Sequence, residues 1–259
     1  MILCVDMGNT DIKIGVFKDD KVLSTFRTAT DKKKSSDEYE LILSSFMSDK
    51  KYKKEDFRGG ILASVVPSLT IALKEAIEAS FGVTPLIVGK GLKNGLSIRI
   101  DNPNELGADL VADAVGAIHQ FGYPVLIADL GTATKICVVD KVGAFVGCVF
   151  APGLKLSVSA LIGGTAQLPE ITLEQPKKII GKNTPDSMNS GAIYGTSAMI
   201  KALSEDIEKE LGYPCKRVLT GGYGRFFKDS LKDSFNFIPD LALQGLLKIY
   251  QKNEGTKNA

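Results

Sequence analysis

Histidine, cysteine and long apolar runs are all scarce in this chain, and each scarcity argues against a class of protein. There is one histidine, and the four cysteines form no Cys-x-x-Cys pair, so the sequence holds no recognisable zinc-binding set. No apolar run approaches the roughly 18 residues that a membrane-spanning helix needs. We also predict no signal peptide before the first strand. We therefore expect a soluble, reduced, cytoplasmic protein.

A strong excess of charge is missing as well. Lysine and arginine number 32 against 30 acidic residues, and the formal net charge is +2. No broad electrostatic field therefore points to nucleic acid or to a membrane surface. Lysines do cluster at residues 32–34 and 50–54, but no interleaved aromatic platform accompanies them. Such clusters are typical of solvated loops and helix ends.

Three glycine-containing turns, each directly after a short apolar run, are the most informative feature present. They lie at residues 6–10 (Asp-Met-Gly-Asn-Thr), 129–134 (Asp-Leu-Gly-Thr-Ala-Thr) and 220–224 (Thr-Gly-Gly-Tyr-Gly). Glycine permits positive φ and close approach of the backbone. The N–H groups and hydroxyls of such turns can hold phosphate oxygens, and an aspartate at the strand end can hold a cation-bound water. The recurrence of the Asp-x-Gly turn in both halves predicts a duplicated nucleotide-binding fold.

Hydrophobic periodicity supports the duplication. The first half is predicted to contain three strands, a helix, a strand, a helix and a strand, at residues 2–5, 12–17, 22–27, 36–48, 60–66, 68–80 and 85–88. A helix over 105–121 precedes three further strands at 124–129, 134–140 and 143–150. The remaining predictions are helices at 153–163 and 185–210, a strand at 216–220, and helices at 222–230 and 240–252. We therefore predict a two-domain α/β protein, with domains 1–115 and 116–259 and an active site in the cleft between them.

Taken together, the motifs resemble type III pantothenate kinases, within the acetate and sugar kinase/heat-shock chaperone/actin superfamily. The resemblance covers about residues 1–250 and is carried by segments at 6–13, 64–67, 101–109, 129–134, 151–153, 165–169, 181–184 and 220–222. It implies a duplicated actin-like (ribonuclease H-like) kinase fold of two βββαβα domains. The implied reaction is ATP-dependent phosphorylation of pantothenate to 4'-phosphopantothenate, the first step of coenzyme A biosynthesis, by a homodimer.

The same resemblance implies a role for individual residues. Asp109 matches the general base that holds and deprotonates the acceptor hydroxyl. The contacts to ATP and its phosphates are assigned to Asp6, Gly8, Asn9, Thr10, Lys13, Gly131, Thr132, Gly221 and Gly222. Those to pantothenate are assigned to Gly107, Ala108, Asp109, Thr165 and Thr184, with the neighbouring subunit closing the pocket near Thr165. Asp6 is best placed for magnesium, and Asp129 matches the residue that binds a monovalent cation, K⁺ or NH₄⁺.

Five features depart from the family pattern. Leu110 replaces a frequent arginine, Ile100 a frequent tyrosine, Lys135 a small residue and Asp113 a frequent asparagine, and residues 146–148 read Val-Gly-Cys where Gly-Gly usually precedes an isoleucine. A charged hydrogen bond from arginine to a carboxylate contributes about 1.5–3 kcal/mol, so its loss corresponds to about 10–150-fold in affinity or rate. Lys135 could restore a positive charge.

Besides an active pantothenate kinase, two alternatives stay open: a catalytically impaired paralogue with a regulatory or nucleotide-binding role, and a kinase for another small hydroxyl compound. A dinucleotide-binding protein is disfavoured, because no Gly-x-Gly-x-x-Gly opens a helix after the first strand.

Overall fold

The computed structural model describes residues 1–254, which form two compact units. The first unit comprises Met1–Leu96, Asn102–Gln120 and the helix that begins at Leu241. The second unit comprises Ser97–Asp101 and Phe121–Asp240. None of the helices in the described part of the chain is long and apolar enough to cross a bilayer.

Strands and helices alternate along the chain. The strands are β1 (Ile2–Met7), β2 (Asp11–Lys18), β3 (Lys21–Ala29), β4 (Gly59–Ser64), β5 (Pro85–Ile87), β6 (Ser97–Ile98), β7 (Val125–Leu130), β8 (Ala133–Val139), β9 (Ala144–Pro152), β10 (Lys216–Thr220) and β11 (Asn236–Phe237). The α-helices are α1 (Ser36–Asp49), α2 (Pro67–Phe81), α3 (Ala108–Phe121), α4 (Leu154–Gly163), α5 (Thr184–Leu211) and α6 (Leu241–Glu254). Short 3₁₀ turns cover Lys54–Asp56, Pro103–Glu105 and Gly224–Phe226.

The sheet of the first unit has the strand order β3-β2-β1-β4-β5. The central strand β1 is antiparallel to β2 and parallel to β4. Its side chains are buried on both faces, as a central strand covered by helices requires. Leu3 and Val5 join a core with Tyr39 and Leu43 of α1. Burial also raises the pKa of the Cys4 thiol well above its usual value, so Cys4 acts as a small apolar core residue.

The second unit repeats this arrangement. Its sheet has the order β11-β10-β7-β8-β9-β6, so β9-β8-β7-β10-β11 corresponds strand for strand to the first sheet. Again the central strand is antiparallel to the next strand of the chain and parallel to the strand on its other side. The core contains Ala128 and Leu130 of β7 with Ile193 and Ile200 of α5. Both units therefore have the sheet of the actin-like fold, and the expected duplication is confirmed.

The division between the units differs from the predicted domains 1–115 and 116–259. Helix α3 runs unbroken past residue 115, and the strand β6 pairs with β9 in the second unit. The last helix, α6, belongs to the first unit, because its side chains pack on that unit's sheet at glycines. Gly59 of β4 leaves space for the Tyr250 ring, and a Cβ on Gly15 of β2 would lie 2.9 Å from Leu243.

Two local predictions were wrong. The helix predicted at 222–230 is only the 3₁₀ turn Gly224–Phe226, whose neighbours Phe227 and Leu231 are buried in the core rather than arranged along a helical stripe. Helix α3 begins at Ala108 instead of 105, because Asn102 caps a separate 3₁₀ turn and Leu106 is extended. The strands β6 and β11 were not predicted, since two-residue strands carry no periodicity.

The contact between α3 and α6 depends on Gly245, which packs against the Ala112 carbonyl. We expect Gly245→Ala to lower the free energy of unfolding by about 1–3 kcal/mol, because the added methyl overpacks this contact. At an uncrowded helical position the same change would stabilise the protein by about 1 kcal/mol, so the sign of the effect is diagnostic. Urea denaturation measures it, with Gly195→Ala in α5, a helical position where a Cβ would meet nothing within 4 Å, as the control. A stabilised Gly245→Ala protein would contradict this close packing of α6 on α3.

Candidate active site

The first glycine turn, residues 8–10, is fixed by backbone and side-chain hydrogen bonds. The Gly8 N–H donates to the Asp11 carbonyl at 2.9 Å. Thr30, directly after β3, donates from its hydroxyl to the Gly8 carbonyl at 2.7 Å. Its N–H donates to the Thr10 carbonyl at 2.8 Å. Asn9 and Thr10 remain exposed. The turn is therefore ordered by its backbone while its side chains face solvent, as a phosphate-binding turn requires.

Asp6 and Lys13 lie directly opposite each other, on β1 and β2. Opposed residues of an antiparallel pair project from the same face of the sheet, so the carboxylate and the ammonium share one face. Both residues are half-buried. On the other side of Asp6 the β4 partner is Ala63, a small residue. The structure thus brings the predicted residues Asp6, Gly8, Asn9, Thr10 and Lys13 together in one hairpin.

Asp109 lies in the first turn of α3, where a carboxylate is favourable for the helix. Its Oδ1 accepts from the Leu110 N–H at 2.9 Å and lies over Gly107, where a Cβ would be 2.5 Å away. The same Cβ would be 3.7 Å from Val65, whose N–H donates to the Met7 carbonyl at the end of β1. Gly107, Ala108 and Asp109 are therefore placed at the sheet edge where β1 and β4 end, next to the first turn.

Leu110 and Asp113, which follow Asp109 on α3, are buried. Leu110 is 5 % exposed, so the position at which the resemblance implies an arginine is here an apolar packing position. Asp113 is 4 % exposed, although an aspartate in the middle of a predicted helix would ordinarily be placed on the solvent side. His119 is exposed near the end of the same helix.

In the second unit, Asp129 at the end of β7 lies directly opposite Lys135 of β8. The Lys135 Nζ is 2.8 Å from the Asp129 Oδ2, and both side chains are 13 % exposed. On its other side Asp129 meets Gly221, which has φ +90° and whose Cβ, if present, would lie 2.5 Å from Oδ1. No group of three or more His, Cys, Asp or Glu side chains within residues 1–254 could hold a metal ion.

Three separate glycine segments converge around Asp129. The Gly153 N–H donates to the Thr132 carbonyl at 3.1 Å, and Gly153 packs so closely on Gly131 and Thr132 that a side chain has no room. The Tyr223 N–H donates to the Leu130 carbonyl at 2.9 Å. Thr132 and Gly222 are exposed. The predicted residues Gly131, Thr132, Gly221 and Gly222 thus lie on loops that meet at the end of β7.

A cavity of 870 Å³ lies between α4, α5 and the segment that connects them. The predicted pantothenate contact Thr184 lines it, at the start of α5, where Asn183 caps the helix by accepting from the Asp186 N–H at 2.8 Å. Thr165 is not among the lining residues. It follows α4, and its hydroxyl donates to the Leu161 carbonyl at 2.9 Å. The two threonines assigned to one substrate thus have different surroundings within the second unit.

The sequence did not identify the Lys135–Asp129 pair, although it carried a signal. Residues 129 and 135 stand at equal distances from the middle of the hairpin turn at 132, and residues so placed face each other in a two-stranded ladder. Gly153 belongs to one of the motifs that carry the family resemblance, but its place in the site was not predicted. Its contact with residues 131–132 depends on the end of β9 lying against the turn after β7, which periodicity does not predict. The cavity between α4 and α5 had no sequence signal.

Solved structures share this architecture. Component A of (R)-2-hydroxyglutaryl-CoA dehydratase from Acidaminococcus fermentans superimposes with a TM-score of 0.59 at 16% identity and covers 98% of both chains. This likeness concerns the fold alone. Two sheets with five corresponding strands, each with an Asp-x-Gly turn at the end of its central strand, give the chain the actin-like fold.

Comparison with known sequences identifies the particular family. The family model for type III pantothenate kinases matches residues 2–206. A type III pantothenate kinase of Agathobacter rectalis is 38% identical over 253 residues, which are 97% of each chain. Another, from Halalkalibacterium halodurans, is 36% identical over 258 residues, which are 98% of this chain and all of the relative. The chain belongs to the type III pantothenate kinase family, and it is a kinase.

Proposed function

We propose that this protein transfers the γ-phosphate of ATP to the primary hydroxyl of pantothenate and forms 4'-phosphopantothenate for coenzyme A biosynthesis. The observation that carries the proposal is Asp109 at the start of α3, over Gly107 and beside the end of β1, in a chain that matches pantothenate kinases along nearly its whole length. The reaction needs a base for the hydroxyl, donors for the transferred charge and a cation that bridges phosphates.

Asp109 orients the acceptor hydroxyl and takes its proton. Its carboxylate is half-buried, and the Leu110 N–H, which donates to Oδ1 at 2.9 Å, orients it. Gly107 and Ala108 provide the backbone that pantothenate approaches. Thr165 and Thr184 are assigned to the same substrate from the second unit.

ATP is held by the glycine turns. In the first unit the side chains of Asn9, Thr10 and Lys13 contact phosphate oxygens, and Gly8, whose N–H donates to the Asp11 carbonyl, keeps the turn tight and open to their approach. Gly131, Thr132, Gly221 and Gly222 do so from the second unit. Magnesium commonly takes one or two protein carboxylates and completes its shell with phosphates and water. The single carboxylate of Asp6, at the strand end before the turn, fits that donor set and would hold the ion that neutralises the phosphates.

A homodimer is the proposed assembly. Helix α4 and the loop before α5 expose large apolar side chains, namely Leu156, Leu161, Ile179 and Ile180. An exposed apolar patch of this kind is typical of an interaction surface. A second copy of the chain would cover these residues and bring its own surface to the neighbourhood of Thr165. Light scattering of the purified protein should then give twice the mass of one chain.

A panel of hydroxy acids tests the substrate assignment. In an assay that couples ADP formation to NADH oxidation, pantothenate should support turnover well above that of the other compounds, with a product whose mass increases by one phosphoryl group. Turnover with another hydroxy acid but not with pantothenate would point to a different small-molecule kinase. ATP binding without any turnover would point to the impaired paralogue.

Gly107→Ala should displace the catalytic carboxylate without unfolding the protein. The new methyl would lie 2.5 Å from the Asp109 Oδ1, and the carboxylate, as the end of a flexible side chain, would rotate away. A displacement near 1 Å can lower the rate about 10²-fold, so we expect kcat to fall by about that factor. Steady-state kinetics and a melting curve measure both effects, with Gly89→Ala, where a Cβ would meet nothing within 4 Å, as the control. An unchanged kcat would show that the position of Asp109 over Gly107 has no part in the reaction.

A further inference from the structure

The ion pair between Lys135 and Asp129 is held in place by the backbone of the second unit. The two residues are direct partners in the β7–β8 ladder, so their Cα atoms face each other across one hydrogen-bonded hairpin. Their charged atoms are 2.8 Å apart, and each side chain is 13 % exposed. The exposed pair Lys209–Asp206, by contrast, has side chains that are 75 % and 68 % exposed. Screening and lost side-chain entropy make the exposed pair weak, whereas a charge as buried as Asp129 needs a counterion.

Lys135 is that counterion at one oxygen, and the other oxygen faces Gly221. A Cβ on Gly221 would lie 2.5 Å from the Asp129 Oδ1 and equally close to the Leu130 backbone, so this side of the carboxylate is closely covered by the turn after β10. A K⁺ or NH₄⁺ ion bound to Asp129 would stand beside the Lys135 ammonium, and like charges so close together repel. The residues around Asp129 therefore do not fit the monovalent-cation site that the sequence analysis assigned to it.

We propose that the Lys135 ammonium takes the place of this cation, so that the protein binds and uses ATP without a requirement for K⁺ or NH₄⁺. A lysine ammonium is a compact single positive charge on a flexible stem, and it supplies the same charge as either ion. Because it is covalently attached, it is present at any salt concentration. The inference rests on the proposed function insofar as Asp129 belongs to the nucleotide site.

The wild-type protein provides the first test. ATP binding, measured by calorimetry, and pantothenate phosphorylation should both be the same within error in potassium chloride and in choline chloride of equal ionic strength. The melting temperature should also be equal in the two salts. A wild-type protein that needs potassium for ATP binding would overturn the proposal, whatever the variants do.

Lys135→Gln and Lys135→Ala provide the second test, by removing the ammonium with and without a polar replacement. In choline chloride we expect ATP affinity to fall by about 10–150-fold, the range for one charged hydrogen bond, and potassium chloride should restore most of it. A bound cation at about ten times its dissociation constant should also raise the melting temperature of the variants by about 3–5 °C over choline chloride. Lys209→Gln removes a lysine from an exposed ion pair of the same unit and should show no dependence on the salt.

The remaining outcomes are also decisive. Variants that lose affinity but do not respond to potassium or ammonium would show that Lys135 does something other than replace a cation. If neither variant folds, the wild-type comparison decides alone. Potassium-independent ATP binding without phosphorylation of pantothenate would refute the proposed substrate and leave this inference standing. Absence of ATP binding in every salt would overturn both.

Discussion

Asp109→Asn is expected to lower turnover with pantothenate about 10²–10⁴-fold, the usual contribution of a positioned general base. The substitution preserves size and the Oδ1 acceptor, so the hydrogen bond from the Leu110 N–H at 2.9 Å can persist and the start of α3 should keep its geometry. What is lost is the ability to accept the proton of the hydroxyl. ATP affinity should therefore stay near the wild-type value, and the loss should appear in kcat rather than in the dissociation constant for ATP.

A matched control separates catalysis from helix electrostatics. Asp37 also lies in the first turn of a helix, α1, and is exposed. Asp37→Asn removes the same favourable charge from a helix start and should leave turnover unchanged. If Asp109→Asn has full turnover, Asp109 is not the base. A parallel loss of ATP affinity would instead assign it to cation binding or to structure.

The repeated turns made most of the fold predictable. Residues 6–10 and 129–134 each follow an apolar run, and a strand that is buried on both faces before a glycine turn has few alternatives in an α/β protein. Both turns do follow the central strands of sheets with the same order. The location of α6 was not predictable, because a helix at the end of the chain can return to either sheet. That choice depends on gaps at Gly15, Gly59 and Gly116, which have no periodic signal.

The candidate site was predictable only where a motif forms a single hairpin. Gly8, Asn9, Thr10 and Lys13 are near in sequence, and a two-stranded ladder keeps them near in space. Contacts between distant segments, such as Gly153 on Thr132 or Gly221 on Asp129, depend on how separate loops return to the sheet. The family resemblance included Gly153 and Gly221 in its motifs, but it did not predict that a lysine would be the counterion of Asp129. Lys135 was recognised from the sequence as a departure, and the structure pairs it with Asp129.

Leu110→Arg is expected to destabilise the protein rather than to improve it. Considered from the sequence alone, arginine would restore a donor for a substrate carboxylate and raise kcat/KM for pantothenate up to about 10²-fold. The structure changes this expectation, because Leu110 is 5 % exposed. An uncompensated charge at a buried position costs about 3–5 kcal/mol, so the melting temperature should fall clearly and the folded fraction with it.

Leu110→Met serves as the control that separates an effect of burying a charge from an effect of adding a donor for the substrate carboxylate. A substitution that conserves volume costs less than about 1.5 kcal/mol and adds no charge. If burial decides, the methionine variant should melt near the wild-type protein, the arginine variant far below it, and neither should gain in kcat/KM. If the guanidinium instead reaches the substrate, Leu110→Arg should keep its stability and gain in kcat/KM, and the gain should disappear with an analogue that lacks the carboxylate. That second result would mean that the side of α3 next to Asp109 opens toward pantothenate when substrate binds, and that Leu110 limits the wild-type enzyme. The first would mean that this chain binds the carboxylate with other groups.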